Sequence, residues 1–260
     1  MSDLATMLAS GDVAVKTGLA AKDIDIDQPL QWTSTSRLTL DAQQSVTMKK
    51  QITVGGQGAL TVITNDTGGA NVKNKTGEFV IVPEHGGVQF WDLGSSLIID
   101  GNSYTLVGDI KTLAADIADN PSGFYALAKS YDASADGTYW DSPIATTFAG
   151  VVEGLGNNIS HFSMNTEDTG ANGLFSQIAF AGEIRDLAAV NGMLTGGQPH
   201  EGTWGMLAGE NDGVIRRCHS SGEASLAGVN LGGLVGYNRG FLENSYADTK
   251  LRGTPGLVGG

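Results

Sequence analysis

Hydrophobic and polar residues alternate in short pieces along the first hundred residues of this chain. Six such pieces stand out, at residues 12–16, 24–27, 37–41, 45–48, 59–63 and 78–82. Alternation with a period of two predicts β-strands with one buried face. Turns rich in glycine and asparagine separate these pieces, at 55–58, 65–69 and 84–87. The pattern therefore predicts an all-β run of similar short strands over residues 1–106.

One segment departs from this pattern and has the spacing of a helix. Its apolar residues are Ile110, Leu113, Ala114 and Ile117. Asp109 precedes them as a candidate N-cap, and Asn120 with Pro121 provides a stop. The spacing predicts one short helix near 109–119, inside a segment 107–147 in which strand character resumes at 124–127.

The remaining segment, 148–260, contains an internal repeat. Residues 205–218 align without a gap on residues 232–245, an offset of 27 residues. The matched pairs are Leu207 with Leu234, Gly209 with Gly236, Asn211 with Asn238, and Gly213 with Gly240. A third copy begins at residue 256, which would set Leu257 above Leu234. A fixed period of this length indicates stacked units that bury their apolar faces against one another.

Each repeat is too short and too rich in glycine for a pair of helices. Brief apolar pieces between sharp glycine corners instead describe one coil of a parallel β-helix, a solenoid whose equivalent residues stack about 4.8 Å apart. Leu207 and Leu234 would then form an inward aliphatic ladder. Asn211 and Asn238 would form either a polar ladder or two exposed turn residues. A β-sandwich is the alternative fold, but it does not explain the matched glycines and asparagines.

Composition and charge narrow the classes of partner. The formal net charge of -13 argues against nucleic acid and against anionic membrane surfaces as partners. No apolar run approaches the ~20 residues needed to span a bilayer, so we expect no membrane insertion. No signal peptide begins the sequence, so we expect either a cytosolic protein or a piece of a larger exported chain, and the broken last repeat favours the second. Cys218 is the single cysteine, so no intrachain disulfide forms, and its place in the repeat indicates a small core residue.

Candidate chemistry is sparse along the chain. Asp132, Asp136 and Asp141 could form a carboxylate cluster, with Trp140 beside them as a sugar-stacking platform. The alternative is a solvated acidic loop. Calcium ligands could come from 65–67 or from the alternating carboxylates of 23–27. The four histidines His85, His161, His200 and His219 lack metal-ligand spacing. We predict no catalytic residue, no metal and no cofactor.

The repeat resembles a known family. Gly-Leu-Val-Gly-x-Asn-x-Gly at 233–240, followed by Asn-Ser-Tyr-Ala at 244–247, resembles the GLUG-type repeat of large bacterial surface proteins. The passengers of filamentous-haemagglutinin-like adhesins are similar over several stretches: 11–13, 38–42, 109–127, 131–134 and 148–157. The resemblance implies a right-handed parallel β-helix on a secreted or surface-anchored fibre. The family's Asn-Pro-Asn secretion motifs are absent, so the chain resembles an interior stretch of the shaft.

These observations predict a structural and adhesive shaft segment of a secreted or cell-surface adhesin, without catalytic activity. Its expected partners are a receptor or glycan on a host or neighbouring cell. End-to-end self-association through the open last coil is also expected. Two alternatives stay open: a β-helical carbohydrate-active enzyme, either a polysaccharide lyase or a glycoside hydrolase, and a carbohydrate-binding shaft.

Overall fold

The structure is a computed structural model that describes residues 3–18, 21–67, 76–165, 167, 169–196, 202–226, 230–252 and 258–259. The protein is mostly β, and its sheets are largely parallel; one hairpin in the described residues is antiparallel. The chain divides into two compact units, residues 1–106 and 107–260. No helix in the described ranges is long and apolar enough to cross a membrane.

The described residues of unit 1 form one helix and eleven short strands. They are α1 Asp3–Leu8, β1 Val13–Lys16, β2 Ile24–Ile26, β3 Leu30–Trp32, β4 Arg37–Asp41, β5 Val46–Met48, β6 Gln51–Val54, β7 Ala59–Ile63, β8 Phe79–Ile81, β9 Gly87–Phe90, β10 Ser96–Ile99 and β11 Asn102–Val107. The six alternating pieces of the sequence correspond to β1, β2, β4, β5, β7 and β8.

Strands of unit 1 return to three sheets in a fixed order. One sheet runs β1-β4-β7-β10, the second β2-β5-β8 and the third β3-β6-β9, all with parallel neighbours. Each set of three consecutive strands therefore adds one strand to every sheet. The exception is the antiparallel hairpin of β10 and β11, which pairs Leu97 with Tyr104 and which the alternation in sequence does not distinguish.

Equivalent apolar residues of unit 1 lie in register on neighbouring strands. Leu38 pairs with Leu60, and Leu60 pairs with Leu97, and all three side chains are buried. The helix α1 packs against β1 and β3 and buries Leu8. The prediction of a single helix was wrong here, because six residues at 3–8 offer too little apolar periodicity to be recognised.

Unit 2, as far as the structure describes it, contains the second helix, a 3₁₀ turn and nineteen strands. They are α2 Ile110–Asp119, β12 Phe124–Leu127, β13 Tyr131–Asp132, the 3₁₀ turn Ala133–Asp136, β14 Thr138–Tyr139, β15 Val151–Glu153, β16 Asn158–Ser160, β17 Ser163–Asn165, β18 Ala171–Asn172, β19 Phe175–Ile178, β20 Glu183–Arg185, β21 Ala188–Thr195, β22 Thr203–Gly205, β23 Ala208–Asn211, β24 Val214–Arg216, β25 His219–Ser225, β26 Asn230–Gly232, β27 Val235–Asn238, β28 Phe241–Glu243, β29 Tyr246–Arg252 and β30 Val258–Gly259.

The helix α2 lies where its apolar spacing predicts. The Asp109 carboxylate accepts a hydrogen bond from Thr112 N at 2.7 Å and caps the N-terminus. The predicted core residues Ile110, Leu113 and Ile117 are buried. The phenol of Tyr125 donates to the carbonyl of Asp116 at 2.8 Å, which ties the helix end to β12.

Strands of unit 2 also return to the same sheets in order. The longest parallel series in this unit is β12-β15-β20-β24-β28, and the others are β18-β22-β26-β30, β19-β23-β27 and a sheet in which β21, β25 and β29 are neighbours. One apolar position runs through the longest series: Val152, Ile184 and Ile215 are buried in successive strands. Leu242, at the same position of β28, is 45% exposed.

Candidate functional site

The aliphatic residues of the repeat stack in the interior of unit 2. Leu207 N donates to the carbonyl of Leu234 at 2.9 Å, and both side chains are buried. Leu174 precedes β19 at the same position, and Phe175 N donates to Leu207 O at 2.9 Å. Leu174, Leu207 and Leu234 therefore lie one above another in successive layers, where a layer is the set of strands that the chain adds to the sheets before it returns to the first of them.

The third copy of the repeat has a different register from the one its glycines suggest. Val258 pairs with Leu231, and Gly259 pairs with Gly232. That pairing keeps the 27-residue spacing seen between Thr203 and Asn230. The expected position of Leu257 above Leu234 would shorten it by four residues, so the predicted alignment was wrong at this point. Leu257 itself lies outside the described residues.

The two repeat asparagines lie one above the other. Asn211 pairs with Asn238 in register, and Asn211 Nδ2 donates to Asn238 Oδ1 at 2.7 Å. Asn211 is fully buried, and its Oδ1 accepts from Gly213 N at 3.1 Å. Asn238 is exposed and donates to Gly240 O at 3.2 Å. Each asparagine side chain thus hydrogen-bonds the backbone of its own turn. Asn211 also donates to Asn238 in the next repeat.

Gly213 and Gly240 precede successive strands of the longest sheet. Val214 N donates to Gly182 O at 2.9 Å, and Phe241 N donates to Gly213 O at 2.8 Å. A Cβ atom on Gly213 would collide with the carbonyl oxygen of Gly182, and one on Gly240 with that of Gly213. Glycine is required at both positions because the backbones of neighbouring layers approach too closely for any side chain.

Gly209 and Gly236 lie between two sheets of unit 2. A Cβ atom on Gly209 would meet the backbone of Asn172 in β18, and one on Gly236 would meet Trp204 in β22. The strands that carry these glycines, β23 and β27, pack directly against β18, β22 and β26. The glycines of the repeat therefore set the distance between the sheets.

A buried network of charged residues lies beside the longest sheet. Arg185 Nε is 2.6 Å from Glu153 Oε2, and the Glu153 side chain is fully buried. Arg217 donates two hydrogen bonds of 2.7 Å to the carboxylate of Asp186, which is also buried. Partners in these pairs are 32 and 31 residues apart, so each pair joins two layers. Buried charges of this kind need such partners to offset desolvation.

Burial controls the protonation of this network. Desolvation, together with the neighbouring Asp186, raises the pKa of Glu153 to about 8. Desolvation also raises the pKa of Asp186, against the opposing effect of Arg217. Cys218 lies beside the two acids, and burial raises the pKa of its thiol far above the ordinary value. A thiol in that state is a poor nucleophile, because the thiolate is the reactive form.

The carboxylates of the acidic loop are engaged with their own neighbours. Asp132 accepts from Ser134 N at 3.0 Å and lies 2.9 Å from His161 Nδ1. Asp136 accepts from the phenols of Tyr131 and Tyr139, at 2.5 and 2.7 Å. The bond to Asp136 raises the pKa of Tyr131 to about 12. These contacts stabilise the 3₁₀ turn and hold it against its flanking strands, β13 and β14.

The remaining members of the acidic loop project from the surface. Asp141 is exposed, and Trp140 is 68% exposed. Trp91, in unit 1, is exposed to a similar degree, whereas Trp32 and Trp204 are buried. The sequence pattern did not distinguish the two exposed tryptophans from the two buried ones.

The stretches considered for calcium have other partners. Asp25 forms an ion pair with Lys49 at 2.6 Å, and Asp23 accepts from Ser45 N at 2.8 Å. Asn65 exchanges two hydrogen bonds of 2.8 Å with the backbone of Gly77. Within the described residues no group of three or more histidine, cysteine or acidic residues could hold a metal ion. His200 lies outside those residues.

Sequence reasoning missed the buried charged network. One signal could have found it: Glu153 interrupts an apolar stretch, with Val152 before it and Leu155 after it. Arginines also occur at the ends of the next two strands of this sheet: Arg185 is the last residue of β20, and Arg217 follows β24. Their pairing with Glu153 and Asp186 depends on the numbers of residues between successive strands, which the sequence pattern does not fix.

The sequence is similar to that of a known, much longer protein. Halomucin of Haloquadratum walsbyi (strain DSM 16790 / HBSQ001) is 30% identical over 230 residues, which cover 86% of this chain. The chain spans about 2% of the length of that relative. No family model matches the chain. No solved structure matches it either.

Proposed function

We propose that this chain is a structural and adhesive segment of a large secreted or cell-surface protein and that it catalyses no reaction. The observation that carries the proposal is the layered stacking of unit 2, in which strands 25 to 33 residues apart pair in parallel. A body of this kind gives rigidity through repetition, and its loops and edges remain available for contact.

The finer architecture belongs to the same proposal. Strands that return to the same sheets in a fixed order support a right-handed parallel β-helix, with one coil for each return. The resemblance of 205–218 and 232–245 to GLUG-type repeats, and of earlier stretches to filamentous-haemagglutinin-like adhesins, agrees with this architecture. Gly209, Gly213, Gly236 and Gly240 would be positions at which the backbones of neighbouring coils approach too closely for a side chain.

The similarity to Halomucin supports placement in a very long protein. A 230-residue alignment that covers 2% of the relative is one small part of that chain. Repeat arrays suit such lengths, because each unit contacts only its neighbours and further units add without a new core. The acidic composition, with a net charge of -13, suits a surface exposed to water.

The contacts of the acidic loop support a role without catalysis. Hydrolysis of a glycosidic bond uses two carboxyl groups that face the same bond about 5–10 Å apart. Asp132 and Asp136 are instead hydrogen-bonded to Ser134, His161 and two tyrosines. Both acids thus have structural partners that a substrate would have to displace.

A second candidate function is glycan binding at Trp140. Tryptophan is enriched at binding interfaces, and an indole face stacks well on the apolar face of a sugar ring. Trp140 lies next to the exposed Asp141, which could accept hydrogen bonds from sugar hydroxyls.

Adhesion and catalysis can be separated in one experiment. Beads coated with the chain are passed over surfaces bearing dextran, alginate, pectate or hyaluronan, and retention is counted. The same polysaccharides are incubated with the free chain and assayed for new reducing ends and unsaturated products. We expect retention on at least one surface and no new ends. Retention on none of them would contradict the adhesive proposal for these ligands.

Three variants sharpen this test. Trp140→Ala should abolish retention if the indole is the glycan platform, whereas Trp91→Ala, which removes an equally exposed indole from unit 1, should not. The third variant is Asp141→Asn. If the wild-type chain cleaves a polysaccharide and this variant does not, the proposal of a non-catalytic segment is overturned and a β-helical carbohydrate-active enzyme is favoured.

A further inference from the structure

The outward face of one sheet in unit 2 carries uncharged side chains over three neighbouring strands. These strands are β14, β17 and β21, which pair in parallel so that Thr138 lies beside Ser163 and Ser163 beside Met193. The next residues along β17 and β21, Met164 and Leu194, are buried in the core. Because successive side chains of a strand point to opposite faces, Ser163 and Met193 lie on the outward face.

A second row of residues lies at the ends of the same strands. Asn165 is the last residue of β17 and pairs with Thr195, the last residue of β21. Trp140 directly follows β14, at the corresponding end of that strand. Ser225 continues the row on the next strand, β25, where it pairs with Thr195. The exposed indole is thus followed, strand by strand, by an amide and two hydroxyl groups.

Two exposed apolar side chains lie at opposite corners of this face. Trp140 is 68% exposed and Met193 is 52% exposed. They belong to strands two positions apart in the sheet, which separates them by about 10 Å across the strands. Ser163 and Asn165 lie on the strand between them. A ligand that contacts both apolar groups must therefore cross three strands and pass polar side chains on its way.

This arrangement matches the chemistry of a chain of sugars. Each sugar ring has an apolar face that packs on an indole or a thioether, and its hydroxyl groups both donate and accept hydrogen bonds. The amide of Asn165 can also donate and accept. Thr195 Oγ1 donates to the carbonyl of Met164 at 3.3 Å, and its lone pairs can accept from a sugar hydroxyl.

The charges around this face disfavour an acidic glycan. Asp141 follows Trp140 and is exposed. Glu223 pairs with Met193 on the next strand and forms an ion pair with Arg252 at 2.6 Å. The whole chain has a formal net charge of -13. An acidic polysaccharide would bring like charges together here, whereas a neutral polysaccharide would not.

We propose that the outward face of β14, β17 and β21 binds a linear neutral glycan that runs across the strands from Trp140 to Met193. One ring stacks on Trp140, a later ring packs on Met193, and the hydroxyl groups between them bind Asn165 and Thr195. The inference rests on the proposed glycan binding at Trp140, and it adds the class of glycan and the direction of its chain. The glycan lies along the direction in which the layers follow one another.

The test is isothermal titration calorimetry of the full chain with four hexasaccharides. Three are neutral, namely cellohexaose, mannohexaose and xylohexaose, and the fourth is the acidic hexagalacturonate. At least one neutral hexasaccharide should bind, and hexagalacturonate should bind more weakly than that probe. The difference between the neutral and acidic probes measures the effect of charge on this face.

Two variants and one control locate the bound glycan. Trp140→Ala should abolish binding of the neutral hexasaccharide. Met193→Ala should raise its Kd roughly tenfold, because the second apolar contact is lost. Met7→Ala removes a thioether that is 56% exposed in unit 1 and should leave the Kd unchanged. Circular dichroism should show the same fold in all three variants, because each side chain is exposed.

The outcomes separate this inference from the proposed function. Binding that Trp140→Ala abolishes and Met193→Ala leaves unchanged overturns the extended site but keeps glycan binding at Trp140. Tighter binding of hexagalacturonate than of every neutral probe overturns the neutral class. Binding of no neutral hexasaccharide overturns the inference as a whole. Retention of the coated beads on an acidic polysaccharide would in that case still support the adhesive proposal.

Discussion

The side chain of Asn211 donates to the side chain of Asn238 at 2.7 Å, although the two residues are 27 positions apart. The lower amide is buried and also accepts the Gly213 N–H, so it satisfies a backbone donor within its turn and a side chain in the next layer. The upper amide is exposed. Although they occupy the same position in the repeat, Asn211 should therefore contribute more to stability than Asn238.

This inequality predicts different costs for the two alanine substitutions. Asn211→Ala leaves the Gly213 N–H buried without its acceptor and should lower the free energy of unfolding by about 1–3 kcal/mol. Asn238→Ala exposes its partners to water and should cost about 1 kcal/mol or less. Urea denaturation of both variants measures the difference. Equal costs would contradict the buried role of Asn211.

The position shared by Ile215 and Leu242 predicts a second contrast. Ile215→Ala removes a fully buried side chain and should cost about 2–5 kcal/mol. Leu242→Ala should cost much less, because that side chain is 45% exposed. The measurement is denaturation of dilute samples. A larger loss of stability for Leu242→Ala than for Ile215→Ala would contradict the exposure of the Leu242 side chain.

The close approach at Gly213 predicts that alanine is not tolerated there. The added Cβ atom would collide with the Gly182 carbonyl oxygen, which is backbone and cannot rotate away. We expect Gly213→Ala to cost about 1–3 kcal/mol, the usual range for overpacking. Gly11→Ala is the matched control, because no atom lies within 4 Å of its added Cβ. Thermal unfolding should show a lower melting temperature for Gly213→Ala alone.

The buried acids predict a dependence of stability on pH. The pKa of Glu153 is raised from 4.5 to about 8 by burial and by Asp186, so the folded state binds a proton more tightly than the unfolded state. The stability that this proton contributes is complete below pH 4.5 and is lost as the pH rises to 8. The raised pKa of Asp186 acts in the same direction.

Glu153→Gln should therefore flatten the stability profile between these pH values. The free energy of unfolding of the wild type, relative to the variant, should fall by a few kcal/mol between about pH 5 and pH 9. Glu243→Gln, at an exposed position paired with Arg216, is the control and should keep the wild-type profile. If the free energies of unfolding of Glu153→Gln and of the wild type change with pH in parallel, Glu153 does not take up a proton on folding.

Much of the local structure could be predicted from the sequence. Alternation gave strands such as Arg37–Asp41 and Ala59–Ile63, and the apolar spacing with Asp109 gave α2. These predictions succeed because a strand or helix repeats its contacts every two or about four residues, within a short window. The short helix α1 and the antiparallel hairpin of β10 and β11 have no such local signature.

What the sequence by itself determined is the repeat: the 27-residue offset, the glycines at the corners, and the pairs of leucines and asparagines that recur with them. Only the tertiary structure decided that Glu153 meets Arg185 and that Asp186 meets Arg217. Those partners are 32 and 31 residues apart, because loops of different length separate the layers. Burial of their charges likewise depends on the layers above and below, whose register is set by backbone pairing between distant strands.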